Sequence, residues 1–196
     1  MTGPITGSWC PVDSRPAAGQ LPRRDGAVRP AVVPAVVPAP ISGTLFRSVM
    51  GSVPTSVAVV AGMTAGGEPV GLAIGTLTSV SLDPPLIAFC PGATSTSWPK
   101  IRATGRFCVS VLAGDQQDVC AVFASKRPDK FAGLSWSVAG NGAPRLDDVV
   151  AWLECDLEAE HAAGDHSIAI GRVTRLGSGT GEVPLVFLGG RYVGVA

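Results

Sequence analysis

Hydroxyl side chains crowd two short stretches of this chain. Thr76, Thr78, Ser79 and Ser81 fall within six residues, and Thr94, Ser95, Thr96 and Ser97 follow one another directly. Small donors grouped like this can converge on an anion, above all where backbone amides join them. Lys126 and Lys130, in "SKRPDKF", could add positive charge. The same residues also suit ordinary caps and turns, because Ser and Thr bond readily to nearby backbone. Nucleophilic chemistry fits less well. Asp165, His166 and Ser167 are the residue types of a hydrolytic relay, but strand neighbours point to opposite faces and cannot form one. The sequence contains no phosphate-binding loop, no Gly-x-Ser-x-Gly elbow and no paired-histidine metal motif. "GNGAPR" and "GSGTGE" open no long helix and read as turns.

Five cysteines (Cys10, Cys90, Cys108, Cys120 and Cys155) stand at wide, irregular spacings with no Cys-x-x-Cys pair, and the chain has only two histidines. That pattern argues against zinc and for free thiols in a reducing cytosol. The chain of 196 residues is 46% hydrophobic and 15% charged, with 15 basic against 15 acidic residues. Such a composition can bury a real core, and its zero net charge points away from nucleic acid and from membrane surfaces. No apolar run is long enough to span a bilayer before Gly or Pro interrupts it.

The elements that must position these residues begin near Ile41. Residues 1 to 40 carry prolines at 4, 11, 16, 22, 30, 34, 38 and 40, including "AVVPAVVPAP", and read as a disordered or polyproline-like tail. From 41 onward, "ISGTLFRSVMGSV" sets Leu45, Phe46, Val49 and Met50 at helical spacing behind Ser42 or Thr44 as a cap. "TSVAVVAGM" and "VGLAIGTLTSV" read as strands of a hairpin around the turn "TAGGEP". "PPLIAFCP" is a core strand, with Asp83-Pro84-Pro85 fixing its entry. A short helix in "STSWPKIRATG" ends at Gly105, and "RFCVSVLA" returns as a strand. "DQQDVCAVFAS" is helical behind Asp115, with Val119, Val122 and Phe123 on one face. In the final third Leu153, Cys155 and Leu157 alternate with Glu154, Asp156 and Glu158. Strands joined by short turns, with two or three small helices, predict a mainly β, antiparallel barrel.

Six segments in one order carry a resemblance: "SVPTSVAVV", "VGLAIGTLTSVSLDPPLIAFCP", "STSWPKIRATGRFCVSVL", "VFASKRPDKFAGLSW", "GDHSIAIGRV" and "PLVFLGGRY". Together, from about residue 42 onward, they resemble the flavin reductase family, the reductase components of two-component flavin-dependent monooxygenases. The resemblance implies a split β-barrel of Greek-key, FMN-binding type. It also implies a homodimer in the cytoplasm that takes hydride from NADH, with NADPH open, and releases reduced FMN or FAD to a separate oxygenase.

For individual residues, the resemblance implies that Gly71, Leu72, Ala73, Ile74, Gly75 and Thr76 form a turn beside the flavin ring, supplying backbone contacts with little bulk. Ser79 and Ser81, with Thr94, Ser95 and Ser97 across the gap, would line the ribityl and phosphate end, helped by Lys126 and Lys130. Pro54, Thr55 and Ser56 join the same cofactor set. Gly164, Asp165 and His166 would lie on the nicotinamide side, and Tyr192 would close over the ring. Two features depart from the family pattern. Ala73-Ile74-Gly75-Thr76 lacks the family's Asn amide, and Ala93 stands where many members have Arg before the hydroxyls. His161 has no motif around it and reads as a surface residue.

Hydride transfer asks no acid, base or metal of the protein, because the two cofactors carry the chemistry once they are held within about 3–3.5 Å. A site of small residues and amides therefore suits it. An alternative from another class is a non-catalytic flavin carrier or sensor on the same barrel. A pyridoxamine phosphate oxidase fits less well, since its second phosphate needs more basic residues than three lysines supply.

Overall fold

The computed structural model describes residues 40–193; of the tail expected over residues 1 to 40, all but Pro40 lies outside the described residues. Among the described residues the protein is mainly β, with three helices and antiparallel strand pairing. Helix α1 (Gly43–Met50) is capped by Ser42, whose hydroxyl accepts from Leu45 N at 3.2 Å. Strands β1 (Thr55–Ser56), β2 (Ala58–Met63) and β3 (Pro69–Ile74) follow, then β4 (Thr78–Leu82) and β5 (Pro85–Phe89). Next come α2 (Trp98–Thr104), β6 (Arg106–Val111), α3 (Gln117–Ala124), β7 (Trp136–Val138) and β8 (Pro144–Leu146). Two 13-residue strands, β9 (Ala151–Ala163) and β10 (His166–Ser178), precede β11 (Val186–Leu188) and β12 (Arg191–Val193).

Seven strands form the main sheet in the order β3-β2-β6-β9-β10-β5-β4. Its two edges, β3 and β4, are consecutive in the chain, from Ile74 to Thr78. Six flat strand spacings would hold those edges about 29 Å apart, whereas four residue steps reach at most ~14 Å. The sheet must therefore curl until its edges approach. Bulges in the β9–β10 ladder, at Ile170/Gly171 and Val173/Arg175, supply extra local twist.

The curled sheet is buried on both faces where β2 runs, which explains the unbroken apolar stretch there. Ala58 and Val60 join Phe89, Trp98, Ile101 and Phe107 in one core, sealed by α2. Val57, Val59 and Ala61 join Phe123, Phe131, Leu146 and Leu185 in a second, sealed by α3. Edge-to-face rings knit both, Phe89–Trp98 at 5.2 Å in the first and Phe123–Phe131 at 5.0 Å in the second. Among the described residues no helix is long and apolar enough to cross a membrane.

Several sequence expectations need amending. "VGLAIGTLTSV" is not one strand, because Gly75–Leu77 break it and send β4 to pair with β5. Gly71 to Ile74 accordingly lie in strand β3, and only Gly75 and Thr76 form a turn. Asp115 does not cap α3, whose N-terminal cap is Gln116 without a side-chain bond. Helix α1 forms as expected, but no residue in it is buried: Leu45, Phe46, Val49 and Met50 are all exposed. Glu154, on the polar side of the β9 alternation, is only 1% exposed because the 140–142 turn covers it.

Candidate active site

Three segments converge on one cleft of about 270 Å³. Leu72 and Ala73 come from β3, Gly92 and Thr94 to Ser97 from the loop before α2, and Phe123 to Lys126, with Lys130, from the end of α3 and beyond. Two roomier depressions, near 530 and 640 Å³, meet around Asp148 and Thr180 and contain none of the expected site residues. In the smaller cleft hydroxyls and cations converge.

Its hydroxyls are not equivalent. Ser95 Oγ accepts from Trp98 N at 3.1 Å and so holds the start of α2. Ser97, at the cap position itself, makes no side-chain cap bond. Lys130 is partly committed: its ammonium donates to Phe123 O at 2.8 Å and Gly71 O at 3.3 Å, tying α3 to β3. Partial burial also holds it below the ordinary lysine value. Gly71 serves this packing directly. A Cβ there would meet Phe123 Cε1 at 2.6 Å, so only glycine lets the ring lie on the strand.

The Gly164–His166 turn is fastened beside the cleft. Gly164, at φ +67°, supplies the positive φ that a two-residue hairpin loop asks of its first residue. Ala93 N donates to Asp165 O at 2.9 Å, and Ser167 N donates to Pro91 O at 3.0 Å. These bonds set His166 opposite Gly92, where a Cβ would lie 3.7 Å from His166 Nε2. His166 Nδ1–H donates to Asp165 Oδ1 at 2.7 Å. That hydrogen bond first, and the imidazolium charge second, hold the Asp165 carboxyl below the ordinary aspartate value. With Nδ1 engaged by Asp165, Nε2 is the ring nitrogen that lies against Gly92, a residue of the cleft wall.

Of the residues expected from the sequence, Leu72, Ala73, Thr94, Ser95, Ser97, Lys126 and Lys130 line the cleft together. Gly71 lines its extension, and Gly164 to His166 abut it through Gly92. The others gather elsewhere in this chain. Thr55 sits over Gly75, where a Cβ would be 3.3 Å from the Thr55 hydroxyl, while Pro54 and Ser56 flank it on and beside β1. Ile74 is buried in the first core. Ser79 and Ser81 lie on edge strand β4. The Thr76 hydroxyl accepts from Cys90 N at 2.8 Å and so pins the turn to β5. Tyr192 packs on Phe187 and donates to Cys120 Sγ at 3.1 Å; this bond, with burial, pushes its phenol up to about 12.

Sequence reasoning missed Lys100 and Arg127 as lining residues. Lys100 follows Ser97 by three positions, one helical turn, and that spacing was the available signal. Arg127 had none beyond adjacency to Lys126.

Comparison with known proteins identifies relatives of this chain. Residues 50–196 match the family model of the flavin reductase like domain. A flavin reductase of Pseudomonas putida is 50% identical over 130 residues, 66% of this chain and 76% of the relative. The reductase subunit HsaB of a flavin-dependent monooxygenase from Rhodococcus jostii is 47% identical over 129 residues, 66% of each chain. Among solved structures, nitrilotriacetate monooxygenase component B from Mycobacterium thermoresistibile superposes with a TM-score of 0.75. It is 40% identical and spans 78% of this chain and 86% of that one. The NADH:FAD oxidoreductase SgcE6 of Streptomyces globisporus, in complex with NAD and FAD fragments, gives 0.74 at 34% identity over 78% and 92% of the two chains. With three quarters of its length matched in this way, the chain belongs to the flavin reductase like domain family.

Proposed function

We propose that the protein is an NAD(P)H-dependent flavin reductase that supplies reduced FMN or FAD to a separate monooxygenase. One observation carries the reading: the hydroxyl and lysine cleft and the His166 turn are joined through Gly92. The donor set fits a flavin phosphate, since Ser97 and Thr94 can donate hydrogen bonds while Lys126 adds charge. Bound flavin and nicotinamide supply the hydride acceptor and donor. The chain's own part is to hold the phosphate end with hydroxyls, keep bulk away from β3, and present His166 Nε2 towards the nicotinamide side.

The cleft is smaller than the roughly 300–1,000 Å³ usual for ligand pockets. A second copy would complete it, and the exposed apolar side chains of α1, with Val80, Leu82 and Leu176, offer a surface for one. The reading is therefore a homodimer of split barrels. The approach of β3 and β4 supports the split barrel, and residues 41–196 form the domain behind an appended tail of 1–40. The free thiols Cys108, Cys120 and Cys155 suit the cytoplasm.

Adding free flavin to the protein with NADH tests the activity directly. Rapid NADH oxidation is expected; tight flavin binding without oxidation would favour a carrier or sensor. His166→Ala should lower kcat/KM for NADH about 2- to 15-fold with flavin affinity unchanged, the worth of one oriented hydrogen bond. Sedimentation that shows only monomer at micromolar concentration would remove the shared site.

A further inference from the structure

The chain contains three lysines, Lys100, Lys126 and Lys130, and the fold brings all three to one place. With Arg127 they line an outer lobe of about 90 Å³ that continues the cleft. The two lobes share Thr96, Ser97, Lys126 and Lys130 as a common wall. No carboxylate lines either lobe. Among the described residues Lys100, Lys126 and Arg127 enter no ion pair, whereas Arg102, Arg172 and Arg175 each have a glutamate. The one acidic side chain in the same loop, Asp129, is turned to accept from Ala132 N.

Four cations around one small hollow repel each other unless an anion sits among them. The inner lobe already offers one phosphate its hydroxyls and Lys126. A lobe of 90 Å³ is about three waters' share of liquid volume, which is room for a phosphate-sized group and too little for a nucleoside. We propose that the outer lobe seats a second phosphate, so that this chain takes flavin as the dinucleotide in preference to the mononucleotide. Lys100 and Arg127 are then the residues that set the preference, the pyrophosphate bridges the two lobes, and the adenosine is left outside. This inference rests on the flavin reading above.

The test is the affinity of the full chain for FAD and for FMN, measured by fluorescence, for wild type and for Lys100→Gln, Arg127→Gln and the double variant. Both side chains are exposed and make no side-chain bond that holds the fold, so the variants should melt with wild type. Wild type should bind FAD more tightly. The double variant should lose about tenfold or more in FAD affinity, with the FMN loss several times smaller, and Lys100→Arg should retain most of it. Raising salt should weaken FAD more than FMN, because more charge is neutralised. Equal losses for the two flavins would overturn the proposal, since the outer lobe would then hold the mononucleotide's own phosphate. So would a loss confined to the KM for NADH, or unchanged affinities, which would make the cations solvated surface. If wild type bound neither flavin, the functional reading itself would fall, a result distinct from these.

Discussion

Glu154 is only 1% exposed, yet its carboxylate has three partners: Gly140 N at 3.1 Å, Asn141 N at 2.8 Å and the Arg175 guanidinium at 3.5 Å. Lys100, Lys126 and Arg127 stand exposed around a hollow with no acidic partner among the described residues. An enclosed charge must be satisfied by the protein, because an unpaired one costs several kcal/mol. A charge at the rim of a hollow keeps its water until something displaces it. The first arrangement closes the fold, and the second leaves it open to a ligand. Polar groups without protein partners are therefore the better guide to this site than polar groups in general.

The largest expected effect comes from opening the closed charge. Glu154→Leu takes the charged acceptor from two part-buried amide hydrogen bonds and the partner from the exposed Arg175 guanidinium, and should cost about 3 kcal/mol in urea unfolding. Flavin affinity of the folded protein should hold. If affinity fell while stability did not, the two regions would not be separable in this way.

Gly71→Ala tests the wall that both regions share. Its Cβ would sit 2.6 Å from the Phe123 ring, so α3 must shift, at about 1–3 kcal/mol. Because Lys130 ties α3 to β3, flavin binding should weaken in step with stability. Thermal melting and flavin titration on one sample check both.

Glu160, on β9 beside α2, is a second charge with protein partners. It accepts from Trp98 Nε1 at 2.8 Å and Arg102 Nη1 at 3.0 Å. The Trp98 bond is the chief reason its carboxyl lies below the ordinary glutamate value of 4.5. A depressed pKa contributes stability that is full above 4.5 and is lost as pH falls through the folded value. Glu160→Gln should therefore cost about 1–2 kcal/mol at neutral pH. The gap to wild type should close below pH 4.5. A gap that persisted in acid would assign the effect to packing.

The smallest effect separates the two neighbouring serines. Ser95→Ala removes a helix-start bond and should lower stability by about 0.5–2 kcal/mol. Ser97→Ala removes a hydroxyl with no cap bond, so it should leave stability alone and weaken flavin binding by about 0.5–1.5 kcal/mol. Equal melting losses for both would mean that Ser97 serves only the helix.

Much of this was legible from the chain itself. Each helix and most strands lie where pattern and punctuation put them, down to Gly105 ending α2 at φ +69°. The hydroxyl run and Lys126 were identified as anion-binding candidates and line one cleft. Illegible were the commitments made elsewhere: the Thr76 hydroxyl to Cys90 N, the Lys130 ammonium to two carbonyls, and the Tyr192 phenol to Cys120. Each of these side chains reads in sequence as available.

The sequence by itself determined the antiparallel strands and the three short helices of the described residues. Period, caps and breakers act within a few residues, so they are written locally. Tertiary structure alone decided which polar groups remain for a ligand. It joined Gly71 to Lys130 and Pro91 to Ser167, and it set Lys100 beside Arg127. Those meetings follow from the curl of a seven-stranded sheet and the register of its ladders, which are properties of pairings far apart in the chain and leave no local mark.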